Sequence, residues 1–208
     1  MAEIKLNKTE LKQQKNLLDQ LRKYLPTLQL KQQQLQVEVD SLTPVIEEVN
    51  NRILNLKTGV EGWAELLTEK EDFVIYELAV VSEVVTDLEN IAGVDVPIFE
   101  KVEFKKVDYS LFMTPIWVDQ ARETMRDIVS LREEVRVIVK KQKLLAEELR
   151  QTNIKVNLFE KRMIPECMEN IRKIRIFLGD QEIAAICNAK IAKEKLDRKA
   201  RKRVKISD

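Results

Sequence analysis

Counting every seventh residue from Leu11 meets Leu11, Leu18, Leu25, Gln32, Val39, Ile46 and Ile53. The same count from Gln14 meets Gln14, Leu21, Leu28, Leu35, Leu42, Val49 and Leu56. Twelve of these fourteen positions are apolar, which predicts a helix that supercoils on a partner, because a straight helix drifts off a 3.5-residue stripe by about 20° per heptad. At 1.5 Å per residue the stripe would reach about 70 Å. The polar Gln14 and Gln32 then serve as register devices or contact points.

A second stripe runs through Ile128, Val135, Gln142, Leu149, Val156 and Met163, interleaved with Leu131, Ile138, Leu145, Thr152 and Phe159. After Pro165 it continues through Cys167, Ile171, Ile174 and Leu178 at spacings of three and four. Two such helices joined by a middle segment predict an antiparallel hairpin, although periodicity alone also admits parallel pairing between two copies. Leu21, Leu28, Leu35, Leu42, Val49, Ile128, Val135, Leu149, Val156 and Phe159 are the expected seam. The C-terminal helix is expected to outrun its partner.

Pro26 and Pro44 interrupt the first stripe. Each removes a helical hydrogen bond at a cost of about 3 kcal/mol in a helix interior, so kinks or a local break are expected, with Thr43 placed to cap a helix restarting at Pro44. The unbroken heptad phase favours kinks over a change of direction.

Between Gly59 and Gln120 the pattern changes. Phe73 to Ile91 is rich in β-branched residues and fits helix or strand; Ala92-Gly93 reads as a turn, followed by Val94, Val96, Ile98 and Phe99. A short β-hairpin is expected at roughly 79–99, then a loop over Asp108–Pro115 and the second long helix from about Ile116. The layout is thus an N-terminal helix (1–58), a middle region (59–117) and a C-terminal helix with its tail (118–208), an all-α-dominated fold built on a long two-helix coiled coil.

Composition supports that layout. The chain of 208 residues has 4 Gly, 5 Pro and 34% charged residues, which disfavours a large compact core. Lysine plus arginine number 36 against 35 aspartate plus glutamate, so net charge does not call for nucleic acid or anionic lipid. Neither a signal peptide nor a membrane-spanning run is read from the sequence. Cys167 and Cys187 fit no metal spacing and are read as reduced packing residues of a cytosolic protein.

The sequence has no histidine, no phosphate-binding glycine loop and no dinucleotide fingerprint. Glu47-Glu48, Glu133-Glu134 and Glu147-Glu148 are adjacent on helices and point apart, as solvated faces do. No catalytic residue, cofactor or metal site is expected. Trp63 and Trp117 flank the middle region as packing anchors or interface residues. The tail from Lys190 to Lys205 is basic, and Lys195, Arg198, Lys199 and Arg201 are its candidate contacts with an acidic surface or phosphates; a solvated helix end is the plainer reading.

Two stretches carry a resemblance. Thr152–Pro165, TNIKVNLFEKRMIP, resembles the TNxxVNAxExxxIP signature of the D subunits of V-type and A-type ATPases through Thr152, Asn153, Val156, Asn157, Glu160, Ile164 and Pro165. Glu89–Glu100, ENIAGVDVPIFE, is similar to the NxxGVxxP segment of the same family through Asn90, Gly93, Val94 and Pro97. The resemblance implies a non-catalytic central-stalk rotor whose paired terminal helices enter a head of catalytic A and nucleotide-binding B subunits. Its lower part would carry the F subunit of the central stalk and rest on a membrane-rotor adaptor of the C/d type, in a complex held at a membrane from the cytoplasmic side. Phe177–Lys193, FLGDQEIAAICNAKIAK, and Asn16–Pro26, NLLDQLRKYLP, depart from the usual family pattern. The competing classes are a prefoldin-like coiled-coil chaperone, which also sets strands between two helices, and a coiled coil that binds nucleic acid through its basic tail.

Overall fold

The computed structural model describes residues 4–61, 79–106 and 117–204, with side chains through Arg198. Helix α1 spans Lys8–Glu61, strands β1 and β2 span Val81–Ile91 and Val94–Phe104, and helices α2 and α3 span Trp117–Leu158 and Ile164–Val204. The five residues Phe159–Met163 between α2 and α3 form a π-helical turn. The chain is therefore dominated by helix, with N- and C-terminal helices paired antiparallel and one small hairpin between them. The expected loop at Asp108–Pro115 and Trp63 lie outside the described residues.

Contacts divide the chain into two units. The first holds residues 1–29 and 154–208, the second residues 30–153. In the first unit, Leu18 and Leu21 of α1 pack with Cys167 and Ile171 of α3, joined by Leu11, Phe159, Met163 and Ile164. The order is antiparallel, since Lys8 faces Glu182 at 4.0 Å while Arg22 reaches Met168. Asn7 starts α1 by accepting the Glu10 N–H on its side-chain oxygen at 2.7 Å, which satisfies one of the orphan donors of the first turn.

In the second unit, Leu35 and Leu42 of α1 pack with Leu145 and Leu149 of α2, and Val96 of β2 fills the same cluster at 0% exposure. Lys31 donates to Glu148 at 2.7 Å, and Gln142 Nε2 donates to Thr43 Oγ1 at 3.3 Å across the helix pair. The polar seam position Gln142 thus finds its partner on the opposite helix.

Both prolines lie inside an unbroken α1, so neither a local break nor a restart capped by Thr43 occurs. The physical reason is position. Pro26 and Pro44 are 18 residues apart, about five turns, and both are exposed on the side away from the seam. There the carbonyls that lose a helical donor are open to water, which reduces the cost of each missing bond.

Pro165 is accommodated differently. It cannot donate to the carbonyl four residues back, and the backbone just ahead of it widens so that the Ile164 N–H reaches the Phe159 carbonyl. A π-turn inserts one residue into the helix. The seam records that insertion: Phe159, Met163, Cys167 and Ile171 follow at three successive spacings of four, and Cys167, Ile171, Ile174 and Leu178 all sit one residue later than the heptads from Ile128 and Leu131 would place them.

The hairpin is longer than the 79–99 expected, reaching Phe104. Ala92 and Gly93 occupy the turn with φ of 50° and 81°, positive at both central residues as the turn of a two-residue hairpin loop requires. The ladder pairs Ile91 with Val94 and Val81 with Phe104, and it carries register irregularities at Val81/Glu83 and Val85/Thr86.

Candidate functional site

The described residues contain no cluster of three or more metal-ligating side chains and no helix long and apolar enough to cross a membrane. What the fold arranges is a set of surfaces. Their geometry begins with the seam.

Leu21, Leu35, Leu42, Val49, Leu149 and Val156 are buried, and Leu28, Ile128, Val135 and Phe159 are half-buried. Burying a leucine side chain is worth about 1.5–3 kcal/mol, so a seam of this length holds its helices together without any specific polar bond. The Lys31–Glu148 pair, with both side chains partly covered, adds register more than stability.

The hairpin motif is structural in detail. Asn90 Oδ1 accepts the Gly93 N–H at 3.1 Å, and Asn90 Nδ2 donates to Asp95 Oδ1 at 2.6 Å, so one amide clamps both sides of the turn. Gly93 supplies the positive φ, Val94 packs against the second-unit core, and Pro97 is buried. Lys141 of α2 donates to Glu89 of β1 at 2.9 Å, and Arg126 of α2 lies over the Phe104 ring at 5.2 Å. The hairpin is therefore tied to α2 near both its tip and its open end.

The second motif spans the end of α2 and the π-turn. Thr152 is buried at 1% and Val156 at 6%, both on the seam. Asn153 and Ile164 are half-buried, while Asn157, Glu160 and Pro165 are exposed. Thr152, Val156 and Ile164 thus face the helix pairing, and Pro165 closes the segment by imposing the π-turn.

The tail is laid out as one exposed helical surface. From Asp180 through Arg198 every residue is exposed, and Lys195 and Arg198 belong to this stretch. The side chains of Lys199 and Arg201 lie outside the described residues. Ile183, Ile186, Ile191 and Leu196 are each more than half exposed, so this end of α3 presents apolar as well as basic side chains. The sequence led us to expect this end of the helix to outrun its partner, but apolar residues in a helix ordinarily mark a buried face, so patterning did not show which side chains would be left uncovered.

Cys167 is buried in the first-unit core and Cys187 is exposed. Burial, with a smaller contribution from the neighbouring Glu166 carboxylate, pushes the Cys167 thiol above its ordinary range. That makes it a packing residue, unreactive at neutral pH.

An antiparallel coiled coil with a hairpin inserted between its helices defines the class, a protein of long helical surfaces. The model of the ATP synthase D-subunit family matches residues 10–194. The chain is 41% identical to the D subunit of the V-type ATP synthase of Borreliella burgdorferi over 201 residues, covering 97% of this chain and 98% of that protein. It is 37% identical to the protein of the same name from Chlamydia pneumoniae over 203 residues, covering 96% and 97%. The chain belongs to the ATP synthase D-subunit family.

Proposed function

We propose that this chain is the central-stalk rotor of a V/A-type ATPase, transmitting torque between ATP turnover in the head and ion movement through the membrane sector. The observation that carries the reading is the end of α3: in a member of the D-subunit family, every residue from Asp180 to Arg198 is exposed, apolar and basic side chains alike. Such a helix is built to be enclosed by other chains.

The first unit, which includes this end, is the part that enters a head of A and B subunits. The lower part of the chain carries the F subunit and rests on the C/d-type adaptor, which holds the complex at the membrane from the cytoplasmic side. In this role the chain is non-catalytic. An asymmetric shaft turning inside a ring of catalytic interfaces contacts each differently, so rotation favours successive nucleotide states without any reactive group on the shaft. The segments 1–58 and 118–208 act as shaft helices and 59–117 as the lower, partner-bearing region.

The test is affinity capture from native membranes with a tag inserted at Asp108, followed by mass spectrometry. Stoichiometric A, B, F and adaptor subunits are expected. Recovery of unfolded clients or of nucleic acid in their place overturns the rotor reading.

A further inference from the structure

Two interruptions of the helical backbone in the first unit fall at one level of its helix pair. Lys8 faces Glu182 and Arg22 reaches Met168, so fourteen residues of α1 are matched by fourteen of α3. Four residues further along each helix, the same antiparallel step sets Pro26 opposite Ile164, the residue before Pro165. In α1, Pro26 has no N–H to give the Arg22 carbonyl, and the Thr27 hydroxyl donates to the Tyr24 carbonyl at 2.8 Å, competing with the helical bond due there. In the facing helix the π-turn Phe159–Met163 replaces regular α bonding, with the Ile164 N–H on the Phe159 carbonyl, and Pro165 withholds a further donor.

Packing is thin at the same level. None of residues 22–29 of α1 or 157–166 of the facing helix is buried, whereas Leu18, Leu21, Cys167 and Ile171 beyond them form the core of the unit. Arg22 and Lys161, whose carbonyls would be the α-helical acceptors of the two prolines, are both exposed, so water can take up the missing bonds at small cost. Pro44 shows the contrast. It lies between the buried Leu42 and Val49, beside the Thr43–Gln142 contact with an uninterrupted α2. A proline in one helix of a closed seam is braced by its partner; at Pro26 the partner is interrupted too.

We propose that this level is a joint built into the first unit, at which both helices open their backbone hydrogen bonds together while the core around Leu18 and Ile171 stays closed. On the α3 side the moving part is the extra residue of the π-turn. The Ile164 N–H can leave the Phe159 carbonyl, five residues back, for the Glu160 carbonyl, four back, so that the extra residue is passed along the helix rather than expelled. This exchange swaps one hydrogen bond for another and uncovers no buried side chain, so it costs far less than unpairing the core. The joint is a property of the chain alone. On the rotor reading, twist applied to the exposed end of α3 is taken up here before it strains the core.

Amide hydrogen exchange of the full chain, read by mass spectrometry, tests the joint. Peptides covering residues 22–29 and 157–166 are expected to be protected at least about tenfold less than those covering 12–21 and 167–174. Pro26→Ala restores the missing donor in α1, and its effect should cross the helix pair: exchange should slow at least about threefold in 157–166 as well as in 22–29, with 167–174 unchanged. Pro44→Ala is the control and should leave exchange around Gln142 as in wild type. Both prolines are exposed, so neither substitution removes a core contact. Deleting Lys161 together with Pro165→Ala approaches the joint from the other helix and should slow exchange in 22–29. Protection of 22–29 and 157–166 equal to that of the core peptides, or a Pro26→Ala effect confined to α1, overturns the joint. Neither result touches the rotor reading, which stands or falls on capture of the head subunits.

Discussion

At the residue scale, Gly93 isolates a backbone effect from packing. Its φ is +81°, yet a methyl group added there would meet nothing within 4 Å. An alanine would therefore lose only the conformational preference, about 1–2 kcal/mol, offset in part by the smaller entropy of its unfolded chain. Gly93→Ala should destabilise the second unit by about 1 kcal/mol and Gly93→Asn by less, since asparagine tolerates this region better. Equal melting of wild type and Gly93→Ala would mean the turn does not hold this geometry in solution. The two thiols make a second pair. Cys187 is exposed and Cys167 buried with its thiol pushed up, so a thiol reagent at neutral pH should label one site per chain rapidly and the other only on unfolding. A thiol held neutral in the folded chain while it ionises in the unfolded one favours folding less as pH rises past the ordinary thiol range, so alkaline destabilisation should be milder in Cys167→Ala. An alkaline melting profile unchanged by the substitution would remove Cys167 as its source.

At the element scale the π-turn makes the sharpest prediction. Deleting one residue from it, Lys161, moves Cys167, Ile171, Ile174 and Leu178 back onto the heptads begun at Ile128 and Leu131. With Pro165→Ala to restore the missing N–H, the combined variant should form a regular α-helix with the seam intact and melt near wild type. Deleting Arg150, exposed in the middle of α2, instead turns every later seam residue by about 100° and should cost several kcal/mol. If both deletions destabilise alike, the π-turn is not what keeps the seam in phase. The seam itself gives a ranked expectation. Leu149→Asp buries an unpaired charge at a position 8% exposed and should cost more than about 3 kcal/mol, whereas Leu28→Asp, half-buried, should cost less. Helix melting unaffected by either would refute the pairing.

The same elements mark where the sequence was readable. The heptads from Leu11 and Ile128 exposed both long helices because a 3.5 period over many turns has no strand-like counterpart. The three spacings of four from Phe159 to Ile171 were equally visible, but three and four alternate in any α-helix, and only the backbone reveals the extra residue. Ala92-Gly93 fixed the hairpin's tip; its far end was hidden because irregularities at Val81/Glu83 and Val85/Thr86 break the period-two alternation that would have traced the strands to Phe104.

For the whole molecule, stability and coupling separate along α3. The cores that hold the helices lie at Leu18, Leu21, Cys167 and Ile171 in one unit and at Leu35, Leu42, Val96, Leu145 and Leu149 in the other. No described residue from Asp180 onward is buried. Removing residues 198–208 should therefore leave melting unchanged and lower the helical circular dichroism only by the few helical residues removed, because none of the residues named in either core is among them. A rotor whose free end must sit inside a head loses a bearing, and head assembly or rotation coupled to ATP turnover should fall by about tenfold, the equivalent of roughly 1.4 kcal/mol of interface. Full assembly and wild-type ATP-driven rotation after truncation would place the working contacts elsewhere on the chain and would leave the basic tail as a solvated helix end.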